Sequence, residues 1–341
     1  MTSTIAGRDG RDGRVDSATG VLVILVVFGH VLLTMEGAAA AAARFWVYTF
    51  HVPAFVFLSG YVTRYSRAWS APKIITRLMF PYIVFALIQR VLEAWLNDRP
   101  FELKPTNIPW TLWYLLALMV WRLTVPLVRR LPMGWALAVS VGVSIVGAAL
   151  PWVGSAYSLG RILGFFPFFV VGLLWRDEWW QWALSRWARA IATVGIVLSV
   201  PWALWFRGII GREEFVFARR PDQLGLAPGN AMLHRAVVLV IAATLALCVI
   251  SLAMRNIAIL ARIGVATLTV YLLHAVVLFP WHLDGAPAWL TGIRGVALAF
   301  ALSAVLAWIL ASPPVVAATR PLMDIRWWET KFGRAPARPA P

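Results

Sequence analysis

The chain has 341 residues, of which 61% are of the apolar class and only 13% are Asp, Glu, Lys or Arg. Soluble domains run at about 45–50% apolar and about 25% charged, so this composition excludes a compact water-soluble protein. The formal charge of +16 comes from 31 basic and 15 acidic residues. The cations lie in short segments between apolar blocks, which points to membrane topology and away from a nucleic-acid partner.

In chain order, residues 1–14 are rich in Gly, Arg and Asp and read as a disordered tail, with no cleavable signal peptide evident. Apolar blocks follow at 17–36, 46–63, 74–96, 110–128, 133–150, 160–175, 188–206, 232–252, 257–280 and 289–311. Most have the length of about 20 residues that a helix needs to cross a bilayer. The expectation is an all-α polytopic membrane protein of about ten transmembrane helices, with a membrane domain over 15–312 and a tail over 313–341. Blocks 46–63 and 160–175 are short and contain Pro53 and Pro167, which membrane helices tolerate when neighbours satisfy the freed carbonyl. Trp46, Trp110, Trp113, Trp152, Trp179, Trp180, Trp327 and Trp328 stand near block ends, as expected for interfacial belts. With the N-terminus in the cytoplasm, most of the basic residues fall in inner segments, so both termini are expected there. The longest polar connection, 207–231, then lies outside. A bacterial inner or plasma membrane is the expected location, with lipid as the surrounding partner. The single cysteine, Cys248, excludes an internal disulfide and a multi-cysteine metal site, and no metal is expected.

Ionisable groups at membrane depth are costly and mark functional sites by default. Three of the five histidines, His30, His51 and His274, fall inside the blocks at depths that can be estimated, while His234 sits at an outer block end and His282 in a connection. At 1.5 Å per residue, His30 lies about 9 Å from the outer end of its helix, His51 about 8 Å below the outer surface, and His274 about 25 Å along an outward-running helix. All three share the outer half of the membrane. An imidazole titrates near neutral pH and can take a proton from a hydroxyl; the plainer alternative is a histidine hydrogen-bonded between packed helices. Gly29 and the Ser59–Gly60 pair remove bulk nearby, either for a substrate or for close packing. Arg161, beside Tyr157, can face a developing oxyanion or simply snorkel. The run Arg64, Arg67, Lys73 and Arg77 is a phosphate-binding patch or a positive-inside anchor.

The segment from Asp16 to His30, DSATGVLVILVVFGH, resembles the opening helix of the membrane acyltransferase-3 family of sugar and polysaccharide O-acetyltransferases, which includes a fucose-acetyltransferase-like branch. HVPAFVFLSG from His51, RLMFPY from Arg77, WTLWYL from Trp110 and TVYLLH from Thr269 are similar to further pieces of it, in order. The resemblance implies a ten-helix enzyme that takes an acyl group, usually acetyl from acetyl-CoA, and places it on a hydroxyl of a glycan or related acceptor. Acyl-CoA is then a cosubstrate and no cofactor is tightly bound. His30 matches the catalytic histidine, His51 a histidine at the start of helix two, and Arg77 a basic residue leading into helix three. Lys73, Arg67 and Arg64 are grouped with Arg77 at the donor phosphates, and Ser59, Arg161, Tyr157 and His274 are candidates for substrate or oxyanion contacts. One position departs from the pattern: neutral Thr19 stands where the family has a basic residue, so Arg14 or a cation of the 64–77 run has to meet the donor in its place. A transporter or flippase for an anionic or lipid-linked substrate, and a catalytically inactive family member, are the competing readings.

Overall fold

A computed structural model describes residues 12–66, 69–98, 100–102, 108–109 and 111–332. Helices α1 (Gly13–Thr34), α2 (Ala38–Tyr48), α3 (His51–Arg64) and α4 (Ala71–Leu96) lead into α5 (Trp113–Arg130), α6 (Met133–Ala149) and α7 (Leu159–Leu174). The short α8 (Trp179–Ala183) precedes α9 (Arg186–Phe206), α10 (Arg212–Val216) and α11 (Pro228–Ala253). Then come α12 (Ala258–Val265), α13 (Thr267–Val277), α14 (Phe279–Asp284), α15 (Gly292–Leu310), α16 (Pro313–Met323) and α17 (Ile325–Phe332). Residues 1–11 of the expected N-terminal tail and 333–341 of the C-terminal one lie outside the described residues; Asp12 accepts a 2.9 Å hydrogen bond from the Arg14 N–H and caps α1.

Seven helical stretches among the described residues are long and apolar enough to cross a membrane, or eight if the bent pair α12 and α13 counts as one broken span. This corrects the expectation of ten. Block 110–128 becomes α5, whose 18 residues carry Arg122, Arg129 and Arg130, and block 133–150 becomes α6, which has 17 residues. Block 257–280 is not one rod: α12 and α13 meet at 75°. Block 46–63 begins earlier than its composition suggested, since α2 and α3 together run over Ala38–Arg64. The exposed faces are apolar, with Ile191, Val194 and Leu198 on α9, Val240 on α11 and Val305 on α15 all outward. In water such faces would be a liability; in a bilayer they meet lipid, and the protein is a multi-pass membrane protein. Of the tryptophans read as belt residues, Trp152 and Trp328 are exposed, but Trp180 is buried in the core.

Without a hydrophobic force between helices in lipid, close approach depends on small residues. At α1 and α12, a Cβ on Gly20 would lie 2.1 Å from the Leu260 carbonyl oxygen, and one on Gly264 would strike the backbone of Asp16. At α3 and α7, a Cβ on Gly60 would lie 2.1 Å from the Phe169 oxygen, and one on Gly172 2.0 Å from the Phe57 oxygen. Gly60 therefore serves helix packing and does not open a substrate path. Overpacking costs about 1–3 kcal/mol or more where only backbone could yield. Gly172→Ala is expected to lower the unfolding temperature in detergent by several degrees, whereas Gly134→Ala, which meets nothing within 4 Å, should leave it unchanged or slightly raised. Equal melting of the two variants would refute this account of the α3–α7 seam.

Candidate active site

Among the cavities that α1 lines in the described residues, two share a wall. The first, of about 250 Å³, is bounded by Val26, His30 and Leu33 of α1, by Tyr48, His51 and Phe55, by Trp113, Tyr114, Arg161 and Tyr271, and by Arg212, Glu213 and Phe215. The second, of about 230 Å³, is reached from the other end of α1: Asp16 and Thr19 line it with Ser59, Leu78, Arg122 and Gly264. Phe55, Tyr114 and Tyr271 line both. Their rings form a partition, with centroids 5.1 Å apart for Phe55–Tyr114 and 5.7 Å for Tyr114–Tyr271. Hydrogen bonds tie it in place: the Tyr114 hydroxyl is 2.5 Å from Ser59 Oγ, and the Tyr271 hydroxyl donates to the Thr111 carbonyl.

The histidine chamber is built by local backbone events. Between α2 and α3 the helix breaks at Thr49 and Phe50, and His51 opens α3. Its Nδ1 donates to the Val47 carbonyl at 2.7 Å, the acceptor its own backbone N–H would reach in an unbroken helix. A carbonyl only accepts, so this bond places the proton on Nδ1 and leaves Nε2 with a lone pair. A Cβ on Gly29 would lie 3.6 Å from Nε2, an ordinary contact, so α1 meets the imidazole at van der Waals distance just before His30 and the glycine is not what admits it. His30 is half-buried on the chamber wall, and its ring centroid is 5.2 Å from that of His274. His274 is fully buried behind it; its Nδ1 donates to Val270 at 3.0 Å, and its buried Nε2 has no hydrogen-bond partner among the described residues. His274 and Tyr271 both lie on α13, which departs from α12 at 75°.

Arg161 enters from the first turn of α7. Its guanidinium lies 5.2 Å over the Trp113 ring, and its buried Nε has no hydrogen-bond partner among the described residues. Its neighbour Tyr157 is exposed in a turn with φ 50° and does not reach the chamber. Ser59 lines the second cavity, across the partition from His30. Lys73 and Arg77 are exposed on α4 and line neither cavity. Arg64 binds Asp177 at 3.0 Å and the Trp175 carbonyl, and Arg67 lies outside the described residues. Among the described residues no group of three or more His, Cys, Asp or Glu side chains could hold a metal ion.

Sequence reasoning missed the roof. The connection 207–227 folds back over the chamber, where α10 lays Arg212 5.4 Å over the Tyr48 ring. Glu213 pairs with Arg212 and, at 3.1 Å, with Arg219. Burial pushes the Glu213 carboxyl up, but Arg212 and Arg219 outweigh it and hold it below the usual range. Phe217 wedges against Phe165 with centroids 4.6 Å apart and carries Arg235 4.1 Å over its ring. A Cβ on Gly164 would overlap the Phe217 side chain and one on Gly160 the Phe217 carbonyl, so these two glycines of α7 admit the loop. The density of charge in the loop was visible beforehand; that it turns inward was not.

The family model described as an acyltransferase domain matches residues 12–312. Among curated proteins, the nodulation protein NolL of Mesorhizobium japonicum is 25% identical over 236 residues, covering 62% of this chain and 60% of its own length. The chain thus aligns with less than two thirds of that relative. No solved structure matches the chain.

Proposed function

The chain belongs to the acyltransferase-3 family, and on that footing we propose that it moves an acyl group, acetyl by default, from acyl-CoA to a hydroxyl of a glycan or related acceptor. The observation that supports this most is the shared chamber, in which His30, His51 and Arg161 face one space next to a second cavity entered from the opposite end of α1. His30 takes the proton from the acceptor hydroxyl as its oxygen attacks the thioester carbonyl. Arg161 faces the oxyanion of the tetrahedral intermediate. Collapse breaks the carbon–sulfur bond, and the His30 imidazolium returns its proton to the leaving thiolate, so that CoA thiol and acyl ester are formed. His274, behind His30, acts as a positioning residue: its buried ring packs against the His30 imidazole and limits how that ring can turn. His51 in its Nδ1–H form cannot donate to an oxyanion from Nε2, so it serves as an acceptor for a neighbouring hydroxyl of the acceptor, not the one that attacks. Arg212 and Glu213 give the roof paired polar groups suited to sugar hydroxyls.

For orientation we place the Asp16 end of α1 in the cytoplasm. Arg64, Lys73, Arg77, Arg129 and Arg130 gather toward that end, as the positive-inside rule requires, and acyl-CoA is a cytoplasmic compound. The acceptor then meets the chamber under the roof. The purified chain in sealed vesicles should release CoA thiol from acetyl-CoA offered to the Asp16 side only, with the acetyl group recovered on a glycan hydroxyl. Movement of the acceptor across the vesicle with the thioester intact would identify a carrier instead, which two cavities divided by an aromatic partition would also suit. Thioester left intact in both orientations, with no transport, would mark an inactive family member.

A further inference from the structure

The second cavity raises a question of charge: a donor with phosphates needs a cation where the pantetheine arm begins, and Thr19 supplies none. Arg14 is exposed and bound to Asp12 at 3.0 Å, and Arg64 is bound to Asp177. The cavity wall does hold one arginine. Arg122, at the middle of α5, lines it opposite α1, and its Nε is buried with no hydrogen-bond partner among the described residues. A buried guanidinium edge without an acceptor is costly unless something else completes it, and the planar fork suits phosphate oxygens. Trp69, from the connection before α4, donates from its indole to the Arg122 carbonyl at 2.9 Å, which fixes this stretch of α5 at the cavity mouth. Asp16 also lines the cavity; its carboxylate repels a phosphate, so the anion is held on the α5 side.

Length agrees with this placement. From Thr19 to His30 α1 rises about 16 Å. A pantetheine arm has the reach of about four extended residues, ~14 Å. A phosphate held at the level of Thr19 therefore brings its thioester to within ~2 Å of the height of His30, beyond the Phe55–Tyr114–Tyr271 partition. Resting on the acyl-CoA reading above, we propose that Arg122 is the contact for the donor's phosphates, with exposed Lys73 and Arg77 acting only to attract the anion from a distance.

Binding to the purified full-length protein tests this with two probes, CoA and phosphate-free pantetheine. A hydrogen-bonded contact to a charged group predicts that Arg122→Ala weakens CoA binding about 10- to 100-fold and leaves pantetheine binding unchanged. Arg122→Lys, which keeps the charge and loses the fork, should fall between wild type and alanine and keeps the test open if alanine does not fold. Arg77→Ala should change CoA affinity less than Arg122→Ala and in a salt-dependent way. Unchanged CoA affinity in both Arg122 variants overturns the assignment, as does an equal loss for both probes, which is the mark of a collapsed cavity. Failure of the wild type to bind either probe would instead remove the acyl-CoA reading, and this proposal with it.

Discussion

Replacing His30 with alanine is expected to reduce acyl transfer about 10²- to 10⁴-fold while CoA binding and the unfolding temperature stay near wild type. The reason is positional. His30 lies on the chamber wall next to the partition through which a thioester would arrive, and its ring has a second imidazole 5.2 Å behind it. An unassisted hydroxyl is a poor nucleophile, so loss of the base should appear in kcat and not in donor affinity. His51→Ala should cost less, since its Nδ1 is engaged with Val47 and only its Nε2 faces the chamber. If His30 were simply a packed polar residue, alanine would instead lower the unfolding temperature and spare the rate per folded molecule. Turnover and melting measured on one sample separate the outcomes: a folded His30→Ala protein working at wild-type rate would end the assignment.

Arg161→Gln should lower kcat and kcat/KM together by roughly 10²- to 10³-fold, the range found when an oxyanion donor is removed. Two cations line the chamber, and they are not equivalent. Arg212 already pairs with Glu213, whereas the Arg161 Nε has no hydrogen-bond partner among the described residues and its guanidinium rests on Trp113. A group that acts on charge developing only in the transition state changes both constants equally. A rise in acceptor KM at constant kcat would place Arg161 in acceptor binding. Arg161→Lys should recover part of the rate, because charge remains although the planar fork is lost.

Composition settled the class of this protein by itself. With 61% apolar residues in blocks of bilayer length, helices are the way to satisfy every backbone group in lipid without forming a closed barrel. That the histidines could lie at one level was also legible, because rise per residue is constant along a helix, and His30 and His51 do line one chamber, with His274 behind. Span number was less so. Hydropathy averages over a window and cannot see that α12 and α13 bend by 75°, or that the apolar run of α6 stops at 17 residues.

What tertiary structure alone decided is which way side chains face. Lys73 and Arg77 sit in a cationic run that reads as a phosphate patch, yet both are exposed on α4 and line neither cavity, while Arg122, inside an apolar block, lines the second. Gly60 reads as space for a substrate and is filled by the backbone of α7. Arg212 and Glu213 reach the chamber because the connection after α9 folds back, held by Phe217 against Phe165. Sequence carries the period and depth of each helix, which are local properties of one chain segment. The angle at which a helix faces its neighbours depends on contacts between segments far apart in the chain, and those exist only once the bundle has packed.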